Sequence, residues 1–286
     1  MTEAQQRVTV QLDVIHFGSV RTPHDYVFRP TGRPVSRWWT GLRAGDDALD
    51  GPCLAFILRH PERGVTLIDT GLHPEAHASV ARDFGWPMRV LFKGLRTVGP
   101  AFGQQLLDRG IDPDTIERVV MTHLHVDHTS GMRLLPNARF ICTPEEWSAT
   151  RRRDAALKGY VAKHLPEEHR MDLIDLAAAG SPQSPFALTH DLFGDGSVRL
   201  AFTPGHTPGH LSVMVTTDDL GEVLLAGDAA YTLRSIQEEH LPLLTDDDLR
   251  SRATLRQLRE YQAANPSTLV VPTHDPEAWR RLLRSS

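Results

Sequence analysis

The sequence predicts an α/β protein in which two β-sheets pack between helices. Three observations carry this expectation. Nine short apolar runs rich in Val, Ile and Leu recur at residues 8–15, 54–58, 65–68, 119–121, 139–141, 198–202, 211–215, 223–225 and 269–271, and they read as strands. Helical patterns sit between some of them. The strands cluster towards both ends of the chain, as they would if each end built its own sheet and both buried one face against the other.

Taken in order, the run 8–15 leads into a surface excursion, 16–51, with Trp38-Trp39 amid Pro, Gly and Arg. Runs 54–58 and 65–68 follow, and then a second excursion, 73–100, where Phe84, Trp86, Met88, Leu91 and Phe92 stand among glycines and prolines. Aromatic residues in such segments wall a pocket, make a dimer contact or anchor long loops to the body of the fold. A helix over 101–109 precedes the strand 119–121. After the strand 139–141, Thr143 offers a cap and Pro144 takes the first helical position, which predicts a helix over 144–158. The runs 198–202, 211–215 and 223–225 form the second group of strands. Residues 246–264 form a long helix that starts with three aspartates and turns basic along its length, which suits the helix dipole. The strand 269–271 and a helix over 276–283 close the chain. No linker and no internal repeat divides it, so residues 1–286 are read as one domain.

Composition narrows the class. Forty per cent apolar residues can fill a full core, and 23% charged is ordinary for a globular chain. The net charge of -5, from 31 Lys+Arg against 36 Asp+Glu, argues against a polyanionic partner such as nucleic acid. Arg151-Arg152-Arg153 is the only basic run and reads as a solvated helix face. Cys53 and Cys142 each lie in an apolar stretch and read as buried free thiols. The N-terminal residues lack a basic segment followed by an apolar stretch, and no window approaches the ~18 apolar residues of a membrane span. A cytoplasmic protein without a membrane partner is the expectation.

Fifteen histidines are more than the charge balance requires, and their placement is informative. His123-Leu124-His125-Val126-Asp127-His128 puts three imidazoles and a carboxylate in six positions, directly after the β-branched run Val119-Val120-Met121-Thr122. Imidazole nitrogens and carboxylate oxygens are the ligands of zinc-type catalytic ions. On extended backbone His123 and His125 point to one side and can chelate a single ion. Asp127 and His128 follow where the chain turns and can face a second. Other strands end in matching residues: His206 in Thr203-Pro204-Gly205-His206-Thr207-Pro208-Gly209-His210, Asp228 after Val223–Gly227, and His274 after Leu269–Pro272. Any one of these alone is more often structural, whereas together they point to a metal centre. His210 opens the next strand and reads as a supporting residue.

These motifs resemble the metallo-β-lactamase superfamily of hydrolases, whose His-x-His-x-Asp-His run stands here as His123 to His128. Thr66-Leu67-Ile68-Asp69-Thr70-Gly71 matches the superfamily's early strand-plus-aspartate motif, where Asp69 orients a ligand from behind. The resemblance implies an αββα sandwich with the site at one edge of the sheets. It implies that His123, His125 and His206 hold one metal, that Asp127, His128 and His274 hold the other, and that Asp228 bridges them. The implied cofactor is a pair of divalent ions, zinc first, with iron, cobalt and manganese also compatible.

Within the superfamily the chain most resembles the quorum-quenching N-acyl homoserine lactonases. Asp228-Ala229-Ala230-Tyr231 places a tyrosine three residues after the bridging aspartate, and the Thr-Pro-Gly-His-Thr-Pro-Gly-His run and His274-Asp275 also fit. The implied reaction is ring opening of an amphiphilic lactone by a metal-bridging hydroxide, with Tyr231 donating to the developing oxyanion and Asp127 carrying a proton to the leaving alkoxide. The stretch between His128 and His206 and both excursions are long for that family, which leaves the acyl-length preference open. A phosphotriesterase or arylesterase of the parathion-hydrolase type shares nearly the same site. A glyoxalase-II-like thioesterase adds a helical domain after its last ligand, yet only 12 residues follow His274. The acidic balance disfavours a ribonuclease Z-like nuclease, a flavodiiron-type protein needs a flavin domain, and a ligand-sensing module would have lost metal ligands. The apolar excursions also suggest a homodimer.

Overall fold

Val, Ile, Leu and Phe favour strands because their side chains fit a pleated surface, and a sheet covered on both faces reads as a continuous apolar run. Strand β2 shows both effects. Along it Cys53, Ala55 and Ile57 enter one core while Leu54, Phe56 and Leu58 enter another, all buried. A computed structural model describes residues 8–30 and 47–285, so Trp38 and Trp39 lie outside the described residues.

The first sheet comprises β1 (Gln11–Thr22), β2 (Leu49–His60), β3 (Gly64–Ile68), β4 (Leu95–Thr97), β5 (Arg118–Val120), β6 (Arg139–Cys142) and β7 (Met171–Leu173), in the order β4-β1-β2-β3-β5-β6-β7. The second holds β8 (Ser181–Gln183), β9 (Phe186–Asp191), β10 (Val198–Phe202), β11 (Leu211–Thr217), β12 (Gly221–Gly227) and β13 (Leu269–Pro272), in the order β13-β12-β11-β10-β9-β8. Each half of the chain thus builds its own sheet. One core lies between the sheets, around Phe56, Ile68, Val120, Leu200 and Leu211. A second lies between the first sheet and helices carrying Phe84, Met88, Phe102 and Trp147, and a third between the second sheet and the helix Asp248–Ala264. This is the αββα sandwich expected from the sequence.

Strand direction decides where a site can form. Strands β3, β5, β6 and β7 are parallel, as are β12 and β13, while the remaining pairs are antiparallel. The carboxyl ends of parallel strands share one edge, and their connecting loops gather there.

Four expectations need correction. The excursion 16–51 begins inside β1, which runs to Thr22 through a bulge at His16/Gly18, and it ends inside β2. The bulge interrupts the period-two alternation and hides the part of the strand beyond it from a pattern reading. The excursion 73–100 contains the short helices Pro74–Ala78, Val80–Phe84 and Met88–Leu91, followed by β4. The helix expected over 144–158 stops at Ala149, and a separate single turn spans Ala155–Lys158. Residues 151–154 carry only Arg and Asp and are exposed, so no apolar face continues past Ala149 to hold the helix down. Its start matches the reading: Thr143 accepts from the Glu146 N–H, and Pro144 takes the first position. The long helix starts at Asp248 under an Asp247 cap, and its last turn has no basic residue.

Candidate metal centre

The carboxyl ends of the parallel strands deliver the chemistry. Asp69 follows β3 directly, and the His123–His128 segment begins two residues after β5. Asp228 follows β12, and His274 follows β13 by one residue. His206 sits in the loop from β10 to β11. His123 and His125 lie outside the sheet ladder, and His125, on extended backbone, precedes the one-turn helix Val126–Thr129 that carries Asp127 and His128. That turn sends the second pair of side chains in a new direction.

Seven residues from both halves of the chain meet in this way. Candidate ligand atoms of His123, His125 and His206 lie within 4.8 Å of one another, as do those of Asp127, His128 and His274. A third group, His123, His128 and Asp228, joins the first two. His206 Nε2 is 3.0 Å from His125 Nδ1. Asp228 Oδ2 is 3.2 Å from His274 Nε2, while Asp228 Oδ1 is 3.5 Å from His128 Nε2.

The residues behind the cluster fix its orientation. Asp69 Oδ1 accepts from the Thr122 N–H, and Oδ2 accepts from the Thr122 hydroxyl and from His128 Nδ1, each at 2.8 Å. Asp69 itself has φ 58°, a left-handed conformation that is costly for a residue with a Cβ and is characteristic of functional positions. His274 Nδ1 donates to the Pro52 carbonyl at 2.9 Å, which turns Nε2 towards the cluster. His210 faces away from it: Nε2 accepts the Asp228 N–H at 3.0 Å, so Nδ1 donates to Thr203 at 2.9 Å. Asp228 is thereby held at its backbone. Gly227 makes the approach possible, because its φ is +58° and a Cβ there would lie 2.7 Å from His210 Nε2.

The electrostatics divide the cluster in two. Burial lowers His123 and His206 well below the ordinary imidazole range and brings His125 down to about 4, with neighbouring imidazoles adding to the shifts of His123 and His206. These three rings are neutral, with lone pairs to give. Burial would also lower His128 and His274, but carboxylates outweigh it and raise both well above the ordinary value: Asp69, Asp127 and Asp228 for His128, and Asp228 for His274. Burial opposes ionisation of Asp228, yet His274 and His128 hold its carboxyl well below the usual range. His123 Nε2, His206 Nδ1 and Asp228 Oδ1 are buried with no hydrogen-bond partner. Such orphaned acceptors are costly unless a cation satisfies them. Neutral imidazoles on one side, carboxylates on the other and unsatisfied lone pairs between them fit a pair of divalent ions.

The cluster floors a cavity of about 670 Å³. Val27, Met88, Leu91 and Phe92 give it apolar walls, and Tyr26 and Tyr231 stand at the metal end. Tyr231 is buried, its ring centroid 5.7 Å from that of His206 and 5.3 Å from that of His274. Burial first, then Tyr26, Asp228 and Asp127, push its hydroxyl well above the ordinary phenol range, so it remains a hydrogen-bond donor. The second excursion therefore has a divided role. Phe84 and Met88 anchor it in the core, Leu91 and Phe92 face the cavity, and Trp86 is 70% exposed.

Sequence reasoning missed Tyr26, Thr122, Glu146 and Tyr160. Glu146 reads as one of two acids opening a helix, and nothing in a single sequence marks it as fully buried. Among the described residues one more acid–imidazole group, His73, Glu75 and Asp83, is already neutralised by Arg133 and Lys163. Cys53 and Cys142 are free and buried, as expected. No helix among the described residues is long and apolar enough to cross a membrane.

Comparison with known proteins agrees with this geometry. The model of the Metallo-beta-lactamase superfamily matches residues 48–274. The chain is 34% identical to the N-acyl homoserine lactonase AttM of Azorhizobium caulinodans over 239 residues, 80% of this chain and 83% of that protein. Among solved structures, a Bacillus thuringiensis AiiA mutant with N-decanoyl-L-homoserine bound at the active site superposes with a TM-score of 0.72 at 24% identity, over 96% of this chain and 97% of that one. AidC, a dizinc quorum-quenching lactonase, superposes at 0.61 with 14% identity, over 95% and 89%.

Proposed function

Because the chain belongs to the metallo-β-lactamase superfamily, we propose that it is a metal-dependent hydrolase that opens the ring of N-acyl homoserine lactones. The observation that carries this reading is Tyr231, a protonated phenol packed against His206 and His274 at the floor of an apolar cavity. The 34% identity to a lactonase over most of both chains supports it. Ligands come from both sheets, so we take the chain as one hydrolase unit.

His123, His125 and His206 would hold one divalent ion, Asp127, His128 and His274 the other, with Asp228 shared. Zinc is our first choice, since nitrogen and carboxylate donors in a buried set that opens onto the cavity suit it. When bound, such a pair polarises a carbonyl and brings the pKa of water towards neutrality. The chain's own groups do the rest. Tyr231 donates to the lactone carbonyl oxygen as it gains negative charge, an interaction worth about 10²–10³ in rate for a single donor. Asp127 is 4% exposed, with Oδ2 3.8 Å from His128 Nε2 and from His274 Nε2. It holds the proton released in the attack and passes it to the ring oxygen as the C–O bond breaks. Val27, Met88, Leu91 and Phe92 take the acyl chain and exclude water from it.

The test is substrate competition on purified protein. Acid release from N-acyl homoserine lactones, compared with hydrolysis of aryl phosphotriesters and thioesters, should favour the lactones by at least an order of magnitude in kcat/KM. Inert lactones beside fast phosphotriester cleavage would overturn the reading.

A further inference from the structure

Glu146 has no exposed surface, and none of the groups bonded to it is a cation. Burial of a carboxylate without a partner charge is expensive, so something must offset it. Its bonds run to three places. Oε1 accepts from the Leu124 N–H at 2.9 Å, the peptide between His123 and His125. Oε1 also faces the Tyr160 hydroxyl at 3.2 Å, and the Tyr160 ring packs on His125 with centroids 5.1 Å apart. Oε2 accepts from the Gly209 N–H at 3.1 Å, three residues beyond His206.

Neighbouring bonds tighten the same joint. The Thr143 hydroxyl donates to the Gly209 carbonyl at 2.9 Å, so Gly209 is held at both its N–H and its carbonyl. A Cβ at Gly209 would fall 2.0 Å from Thr143 Oγ1 and 2.3 Å from Glu146 N, an approach only glycine allows. The loop of the first sheet that carries His123 and His125 is thus fastened to the loop of the second sheet that carries His206. None of these bonds reaches the other side of the cluster. There Asp69 orients His128, Pro52 orients His274 and His210 holds the Asp228 backbone.

We propose that Glu146 is the positioning residue of the His123–His125–His206 site: its two carboxyl oxygens lock the two ligand loops in register. The assignment rests on the metal-binding reading above; Asp69 supports the other half directly through His128 and touches the three-histidine half only through the Thr122 hydroxyl, 3.1 Å from His123 Nδ1.

The test is cobalt(II) titration of chelator-treated full-length protein, followed by visible absorption, on wild type, Glu146→Gln, Tyr160→Phe and Asp69→Asn. Partners of this kind set metal affinity by about 10–100-fold. In E146Q one of the two cobalt ions should weaken by that factor while the other keeps its wild-type affinity, and Y160F should weaken the same ion by less. D69N should weaken mainly the other ion. Thermal melts of the metal-free proteins identify any variant that does not fold, and Y160F, which keeps the bonds from both backbone N–H groups to Glu146, still reads the site if E146Q fails. Equal weakening of both ions in Y160F or a folded E146Q, or two ions at wild-type affinity, would overturn the assignment alone. Wild-type protein that binds no cobalt would overturn the metal reading beneath it as well.

Discussion

Asp69→Asn isolates how much the cluster depends on a residue that touches no substrate. The carboxylate offers two oxygens to three donors at 2.8 Å: the Thr122 N–H, the Thr122 hydroxyl and His128 Nδ1. An amide offers one oxygen. Placed where Oδ1 stands, it keeps the Thr122 N–H but turns its NH2 towards the His128 Nδ1–H. Flipped, it keeps His128 and strands the buried Thr122 N–H. A buried donor left without an acceptor costs about 1–3 kcal/mol, which corresponds to roughly 10–100-fold in a binding constant. The expected outcome is a loss of that size in the affinity of the ion nearest His128, measured by competition with a coloured chelator on folded protein. The three-histidine site, which Asp69 reaches only through the Thr122 hydroxyl 3.1 Å from His123 Nδ1, should weaken by less. Wild-type affinity for both ions, in a variant with an unchanged melting temperature, would refute the reasoning.

Other consequences are open to simple assays. Tyr231→Phe should lower kcat for lactone opening by about 10²–10³ with metal content intact; unchanged kinetics would remove its role. Asp83 supplies a pH dependence: burial opposes its ionisation, but bonds from His164 and Ser130 and the charges of His164 and Arg133 win, so its pKa is lowered in the folded state. The stability it contributes is therefore present above its unfolded pKa of about 3.9 and lost as pH falls through the lower folded value. Urea melts of Asp83→Asn should show about 1–3 kcal/mol lost at pH 7, with the gap from wild type narrowing in acid. Phe92→Ala, at the half-buried cavity wall, should raise KM for a decanoyl lactone about fivefold and leave a butanoyl lactone nearly unchanged, by loss of roughly 1 kcal/mol of apolar contact.

The reach of sequence reasoning follows the physics of each element. The His123–His128 run, Asp228 and His274 were legible because a ligand at the end of an apolar strand is conspicuous in the one-dimensional pattern. The αββα order was legible because each half of the chain builds its own sheet. Strand β1 was cut short because its bulge at His16/Gly18 breaks the alternation. The edge strands β4, β7 and β8 are only three residues long and give no periodic signal. Glu146, Tyr160 and Thr122 were illegible for a different reason. Their importance lies in contacts across the joint between the two sheets, and burial of a carboxylate is a property of the fold that its local sequence does not announce.

Metal content and lactone opening, measured on one purified sample before and after chelation, bear most directly on the central claim. The geometry predicts two divalent ions per chain and hydrolysis of an N-acyl homoserine lactone that vanishes on chelation and returns with zinc. Fewer than one ion per chain, or lactone opening that persists at full rate in metal-free protein, would contradict it.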